Sequence, residues 1–400
     1  MMPRPTGLGA RLAALHAASF GGIGVYVPFF PIWLESRGLP ASWIGIVLAV
    51  PIIVRILVTA PLMTLADRSV GARRLIAGAC FAVSAIYLTL LAVSGPVAIA
   101  VLVALMAVAQ APIIPTADLV TIQAIRRDSR LDYGRVRLWG SIAFLIASIG
   151  GGYLLEVLPA DAVVWFLFSL AVGAMATAWA VVPESAPAHA DLRRESVPAA
   201  PAGIPLALWF VIGAGACTQA SHGALYAFGS IHWRDLGFSS ATIGLLWAVG
   251  VVAEILVFAV LGRSVGRGSA LGLLLLGAGA GMIRFAALAA DPGLAATFVL
   301  QALHGLTFGA THLGTMGALA QLAPEGGRGR AQGVMASAHA FAMASATGLS
   351  GLLFRAAGPL VFLAMVPLAA AGLAFALLAR RTARAHPQSA GDGGWTRLPS

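Results

Sequence analysis

The sequence predicts an all-α membrane protein: twelve transmembrane helices in two pseudo-symmetric six-helix bundles. Three observations carry this expectation. The composition cannot cover a water-facing surface, the apolar runs fall in a six-plus-six order, and the second half repeats features of the first at an offset near 200 residues.

The chain is 59% hydrophobic and only 10% charged, where a soluble domain carries roughly 25% charged residues. A hydrocarbon exterior removes the need for a charged surface. All 25 Lys+Arg residues are arginine. A P-loop needs its lysine on the β- and γ-phosphates, so ATP is excluded as a fuel by that route. The net charge of +10 sits in short gaps between apolar runs, an arrangement that suits anionic lipid headgroups rather than nucleic acid. The two cysteines, Cys80 and Cys217, lie inside apolar runs and offer no disulfide or metal spacing.

Each span needs about 20 predominantly apolar residues. Such runs fall near 10–34, 41–66, 74–94, 97–124, 136–157 and 161–182, then near 205–231, 239–261, 270–290, 293–322, 331–354 and 358–379. The first follows Arg4 and Arg11 and is too long for a signal-peptide core. The runs lack strand alternation, and backbone groups in lipid must pair internally, so helices are expected. The predicted units are a bundle over 1–182, a cytoplasmic linker over 183–204 rich in Pro, Ala and charge, a second bundle over 205–382 and a disordered tail over 383–400.

The arginines set the orientation. With the N-terminus inside, 20 arginines fall in inner segments and three, Arg37, Arg234 and Arg355, in outer ones. That bias predicts two cytoplasmic termini; the protein is further expected to be a monomer in a bacterial inner membrane. The remaining two, Arg55 and Arg284, lie within spans.

The repeat aligns Tyr26 and Trp33 with Tyr226 and Trp233 at an offset of 200, then Gly38, Ile44 and Ala49 with Gly237, Ile243 and Ala248 at 199. Gln110 and Asp118 align with His304 and His312 at 194. Duplicated six-helix halves with a site between them are a transporter architecture.

Ionisable groups at bilayer depth cost at least about 2.5–3.5 kcal/mol on insertion scales, so they are expected to face a cavity or a partner. The repeat sets Arg55 opposite Glu254. They either share a central cavity or pair locally to fix helix packing. Asp118 follows Pro112 and Pro115; it is either functional or a helix-end carboxylate near cytoplasmic arginines. Arg284 is a candidate for an ion pair with Glu254, structural or switching. His304 and His312 share a helix with Thr311 and Thr315 and are read either as core residues or as a polar pathway. Gln219, His222 and Tyr226 form one stripe, as do His16, Ser19 and Tyr26 more weakly; each stripe is packing glue or pathway lining. His339 and Gln332 rank lower. No metal-ligand spacing appears, and H-E-x-x-H and G-x-S-x-G are missing, so an enzyme is not expected.

LDYGRVRLWGS (131–141) resembles the helix-four-to-five signature of the lactose permease-like part of the major facilitator superfamily. LADRSVGARRL (65–75) is similar to a worn form of that superfamily's loop between helices two and three. Residues 226–254 and 301–313 most resemble the phenylpropionate permease family. The resemblance implies proton-coupled uptake of an aromatic acid such as 3-phenylpropionate, energised by the proton gradient without a cofactor. It also implies roles. Asp118 and Arg137 match a helix-four carboxylate and a helix-five arginine of the substrate site. Glu254, Arg284 and His304 match a helix-eight carboxylate and the arginine and histidine of the coupling cluster. Two positions depart from it: a carboxylate three residues after the histidine is Thr307 here, and a sugar-stacking tryptophan is Phe144. On this reading Arg55, Asp118, Arg137, Phe144, His222 and Tyr226 bind substrate, and Glu254, Arg284, His304 and His312 carry the coupling. The alternatives are a sugar or nucleoside symporter, an efflux carrier, or a membrane receptor or assembly factor that moves no solute.

Overall fold

The computed structural model describes residues 7–69, 71–128, 130–182, 203–262, 269–324 and 326–385, all its regular structure being helical. Of the linker expected over 183–204, residues 183–202 lie outside these residues, as do 386–400 of the tail expected over 383–400; residues 383–385 of that tail are instead the end of the last helix. Part of the loop resembling the superfamily motif also lies outside them.

The first bundle holds α1 (Gly7–Ser36), α2 (Ala41–Ser69), α3 (Ala72–Ala92), α4 (Pro96–Gln110), α5 (Ile113–Arg127), α6 (Tyr133–Val157) and α7 (Ala162–Val181). The second holds α8 (Leu206–Ala220), α9 (Gly223–Asp235), α10 (Ser240–Leu261), α11 (Ala270–Leu288), α12 (Leu294–Ala302), α13 (Thr311–Leu322), α14 (Arg328–Ala357) and α15 (Val366–Ala385). Helices α4 and α5 make one span, bent at Ala111–Pro112 because proline donates no backbone hydrogen bond. Helices α12 and α13 make another, joined by a π-helical segment, Gly305–Ala310.

Eleven spans among the described residues are long and apolar enough to cross a membrane. The seventh predicted span, 205–231, is not one continuous helix. It breaks at Ser221–His222 into α8 and α9, where the Ser221 hydroxyl bonds the Thr218 carbonyl and competes with the helix ladder. Taken end to end, α8 and α9 restore the twelfth crossing.

The packing explains why the bundles part at one face only. One apolar core is shared by both halves: Val25, Phe29, Phe30 and Trp33 of α1, Val47 of α2, Phe228 and Trp233 of α9 and Leu246 of α10. It lies toward the arginine-poor face, where α1 ends. Toward the arginine-rich face each bundle has its own core, around Leu15, Ile76 and Ala178 in the first and Leu208, Leu274 and Ala331 in the second.

The joined face uses small residues, which let backbones meet where hydrophobic force between helices is weak. Gly45 of α2 packs so close to α14 that an added Cβ would lie 2.9 Å from the Gly348 carbonyl oxygen. Gly152 of α6 would place one 2.5 Å from the Ser240 carbonyl oxygen of α10. The Ser148 hydroxyl of α6 donates to the Gly244 carbonyl at 3.1 Å. Above these contacts Arg234 donates to Glu35, which ties α9 to α1.

Candidate functional site

A cavity of about 840 Å³ lies between the bundles, within the size range of small-molecule sites. It is walled by both halves: Tyr26, Arg55, Gln110, Arg137 and Phe144 from the first, Tyr226, Trp247, Glu254, Arg284 and His304 from the second. Its floor is aromatic. Tyr26 stacks on Phe30 at 4.5 Å and Phe30 on Trp33 at 5.3 Å. Across the repeat, Tyr226 lies 5.8 Å from Trp247, which lies 5.9 Å from Trp233. The indole of Trp247 donates to Ser230 at 2.8 Å, so its one polar atom is used and its ring stays in the wall.

The polar groups follow the duplication. In the first bundle Arg55 Nη2 donates to Gln110 Oε1 at 2.9 Å. Their repeat mates, Glu254 and His304, meet as Oε2 and Nε2 at 3.9 Å. Tyr87 and Arg284 also line the cavity. Duplication has kept two facing positions: Arg55 and Glu254 carry opposite charges, while Gln110 and His304 are both neutral.

Arg284 is 1% exposed. Its Nη1 donates to His304 Nδ1 at 3.2 Å and to Thr307 Oγ1 at 3.0 Å, and its Nη2 donates to Gln301 Oε1. A guanidinium has no acceptor, so His304 Nδ1 receives that bond and the ring proton sits on Nε2, facing Glu254. The proton order continues inward. Thr307, having accepted from Arg284, meets His222 Nε2 at 2.9 Å, and His222 Nδ1 donates to the Gln219 carbonyl at 3.1 Å. Both histidines are thereby held as neutral tautomers, and every acceptor around Arg284 is neutral.

Of the ten residues singled out from the sequence, seven face the cavity: Arg55, Arg137, Phe144, Tyr226, Glu254, Arg284 and His304. Three do not. His222 is fully buried behind Tyr226, because the α8–α9 break turns it toward Thr307. Asp118 lies a turn beyond the cavity wall, accepting from the Tyr133 hydroxyl at 2.9 Å and 4.0 Å from His16 Nε2. It makes no ion pair with Arg137 among the described residues; the Arg137 guanidinium lies 3.6 Å over the Phe20 ring. His312 is exposed, its ring parallel to Phe308 at 6.4 Å and tilted against Phe258 at 6.0 Å. The anticipated Glu254–Arg284 ion pair is also not made among the described residues, since His304 stands between them.

Residues the sequence reading passed over include Tyr87, Gln110, Trp247 and Gln301. Gln110 was visible as the repeat mate of His304. Gln301 lies one turn before His304 but, being uncharged, carries no burial cost large enough to mark it.

The comparisons agree with this architecture. The model of the MFS_1 like family matches residues 10–364. Over 315 residues the chain is 31% identical to a protein of Escherichia coli (strain K12) named Probable 3-phenylpropionic acid transporter, covering 76% of this chain and 80% of that one. It is 28% identical over 316 residues to the Maltose permease of Geobacillus stearothermophilus, covering 76% and 77%. The crystal structure of the nucleoside transporter NupG superposes with a TM-score of 0.75 at 16% identity, covering 96% of this chain and 99% of that one. A bacterial homologue of the human lysosomal transporter Spinster, inward-facing and occupied, gives 0.76 at 14% identity over 98% and 100%. These two structures show the fold alone. The chain belongs to the MFS_1 like family of the major facilitator superfamily, as a phenylpropionate permease-like member: a multi-pass membrane transporter of a small molecule and not an enzyme.

Proposed function

We propose that the protein is a proton-coupled symporter that takes up a small aromatic carboxylate such as 3-phenylpropionate. The observation that carries this reading is Arg284, a buried guanidinium held among the described residues by neutral acceptors. Thr307 occupies the position where the lactose permease resemblance puts a carboxylate, so the cation keeps its charge free for an anionic ligand. A carboxylate accepts two parallel bonds from a guanidinium, and Tyr26, Phe144, Tyr226 and Trp247 offer faces for a ring.

Coupling follows from competition. A substrate carboxylate that takes the Arg284 Nη1 hydrogen releases His304 Nδ1. That lone pair then accepts a proton, and the imidazolium faces Glu254 across the 3.9 Å gap. One anion and one proton enter together, which leaves the site's net charge unchanged. On the arginine bias both termini are cytoplasmic, the joined face is outer and the cavity opens inward. Rocking of the bundles about the site would then expose it alternately. Each chain carries both halves of the site, so a monomer suffices.

The sugar and nucleoside alternatives draw on the names of the maltose permease and NupG, but a cavity with three arginines against one carboxylate suits an anion better than a polyol. Uptake of labelled 3-phenylpropionate into vesicles, with and without an imposed acid-outside gradient, tests the proposal. Acid-driven accumulation that Arg284→Gln and Glu254→Gln abolish is expected. Uptake by the wild type that ignores the gradient, or undiminished coupled uptake by Arg284→Gln, would sink it.

A further inference from the structure

Behind the cavity wall the second bundle contains a polar seam that the substrate site does not use. Thr307, Thr311 and Thr315 are fully buried along the tenth span; Thr311 Oγ1 lies against Gly277 of α11, and the Thr315 hydroxyl, beside Gly215 of α8, donates to the Thr311 carbonyl at 2.7 Å. On the facing helix α8 and its break lie His222, Gln219 and Gly215. The two stretches run antiparallel. His222 meets Thr307 at 2.9 Å, and a Cβ built on Gly215 would lie 2.8 Å from Thr315 Oγ1. From Gly215 to His222 the seam extends about 10 Å at 1.5 Å per helical residue. One end is the Arg284–Thr307–His222 chain. At the other, His339 of α14 brings its Nε2 within 2.6 Å of the same built Cβ.

Three side-chain atoms in this seam are buried without a hydrogen-bond partner among the described residues: Gln219 Oε1, Thr311 Oγ1 and His339 Nε2. Burying such an atom unpaired costs about 1–3 kcal/mol, and three in one seam is a concentration that sealed packing would not retain. Internal water is the ordinary partner of such groups. The missing Cβ at Gly215 lets His339 Nε2 and Thr315 Oγ1 close in on one point, 2.6 and 2.8 Å from where a methyl group would sit.

Resting on the proton-coupled reading above, we infer that this seam is a hydrated proton path, separate from the substrate cavity, connecting the His304–Arg284 cluster to the arginine-rich face through His222, Gln219, Thr311, Thr315 and His339. Hydroxyl, imidazole and water groups both donate and accept, so a proton taken at one end displaces one from each neighbour in turn and one is released at the other; rotation of the hydroxyls and waters and return of the imidazole tautomers reset the chain, and Gln219 Oε1, an acceptor only, orients a bridging water. Substrate would leave by the cavity and the proton by the seam. The charged and titratable groups around the path are Arg284, His304 and, beyond it, Glu254 at one end, and His339 and His312 at the other.

Two substitutions interrupt the path without touching the cavity. Thr311→Val keeps the shape and removes the hydroxyl. Gly215→Ala places a methyl between His339 and Thr315. In vesicles, substrate exchange at equal pH reports binding and rocking, while accumulation driven by a pH gradient reports proton movement. Both variants are expected to lower gradient-driven accumulation about tenfold or more while exchange stays within about twofold of wild type, the split expected when only one of two coupled steps is impaired. Full gradient-driven accumulation in both variants overturns the path. Equal loss of exchange and accumulation in both also overturns it, because the residues would then be packing elements of the rocking machinery. Wild-type accumulation indifferent to the gradient defeats the proton-coupled reading itself, an outcome distinct from either.

Discussion

At the residue scale, Arg284 and Thr307 decide what the cavity accepts. An arginine at 1% exposure is costly to hold in hydrocarbon unless something of opposite charge visits it. Its three acceptors, His304, Gln301 and Thr307, orient the guanidinium without cancelling it. Thr307→Asp would cancel it. The variant is expected to keep or raise its melting temperature, because a buried ion pair replaces a buried lone charge, and to lose 3-phenylpropionate uptake. A thermal melt and an uptake assay on the same preparation check both; wild-type uptake by Thr307→Asp would remove Arg284 as the anchor. Arg284→Lys keeps the charge but loses the planar fork. Its KM is expected to rise about tenfold, the equivalent of about 1.4 kcal/mol, with a smaller change in kcat. These charged positions were legible in the sequence because ionisable groups in apolar runs stand out. Their partners were not. Whether Arg284 faces Glu254 or His304 depends on helix rotation, which the π-helical segment at Gly305–Ala310 alters locally, and no periodicity announces that segment.

At the element scale the spans themselves were readable, since twenty apolar residues are a coarse signal, and so was the duplication. Helix breaks were legible where proline causes them, at Pro112, but not at Ser221–His222, where a serine hydroxyl and close glycine packing do the same work. The break moved His222 out of the cavity wall, and a uniform 3.6-residue stripe could not foresee that. Asp118 was misplaced for a related reason: it lies past the bend of the fourth span, where the helix has turned away from the cavity toward Tyr133 and His16. The glycines of the joined face give a prediction at this scale. Gly45→Trp cannot fit against Gly348 and Gly351, so α2 and α14 must separate at the arginine-poor face. Transport is expected to stop while substrate binding persists. A cysteine at Leu48, on the cavity wall, should then react faster with a membrane-impermeant maleimide applied from the arginine-poor side. Unchanged labelling would show that the Gly45 contact does not close that face.

At the scale of the whole molecule, the two bundles share one core and are tied at its outer edge by Arg234 and Glu35. The tie joins α1 of one bundle to α9 of the other, so it must break when they part. Its strength is limited by solvent: the side chains are 37% and 34% exposed, and exposed pairs contribute about 0–1 kcal/mol. Glu35→Gln is therefore expected to shift the balance between joined and parted states by no more than about fivefold, enough to alter rates without abolishing transport. Arg37 reinforces the same edge independently, donating to the Leu91 carbonyl at 2.7 Å and lying 3.7 Å from Asp161 within the first bundle. It crosses no bundle boundary, so Arg37→Gln should lower thermal stability without changing that balance. Distances between spin labels on α1 and α9, measured in Glu35→Gln, Arg234→Gln and the exchanged pair Glu35→Arg with Arg234→Glu, separate the possibilities. Each single variant should widen the distribution at the arginine-poor face, and the exchanged pair should narrow it again. If the exchanged pair stays as wide as the singles, the shared aromatic and glycine core holds that face closed unaided, and the ion pair is a bystander to rocking.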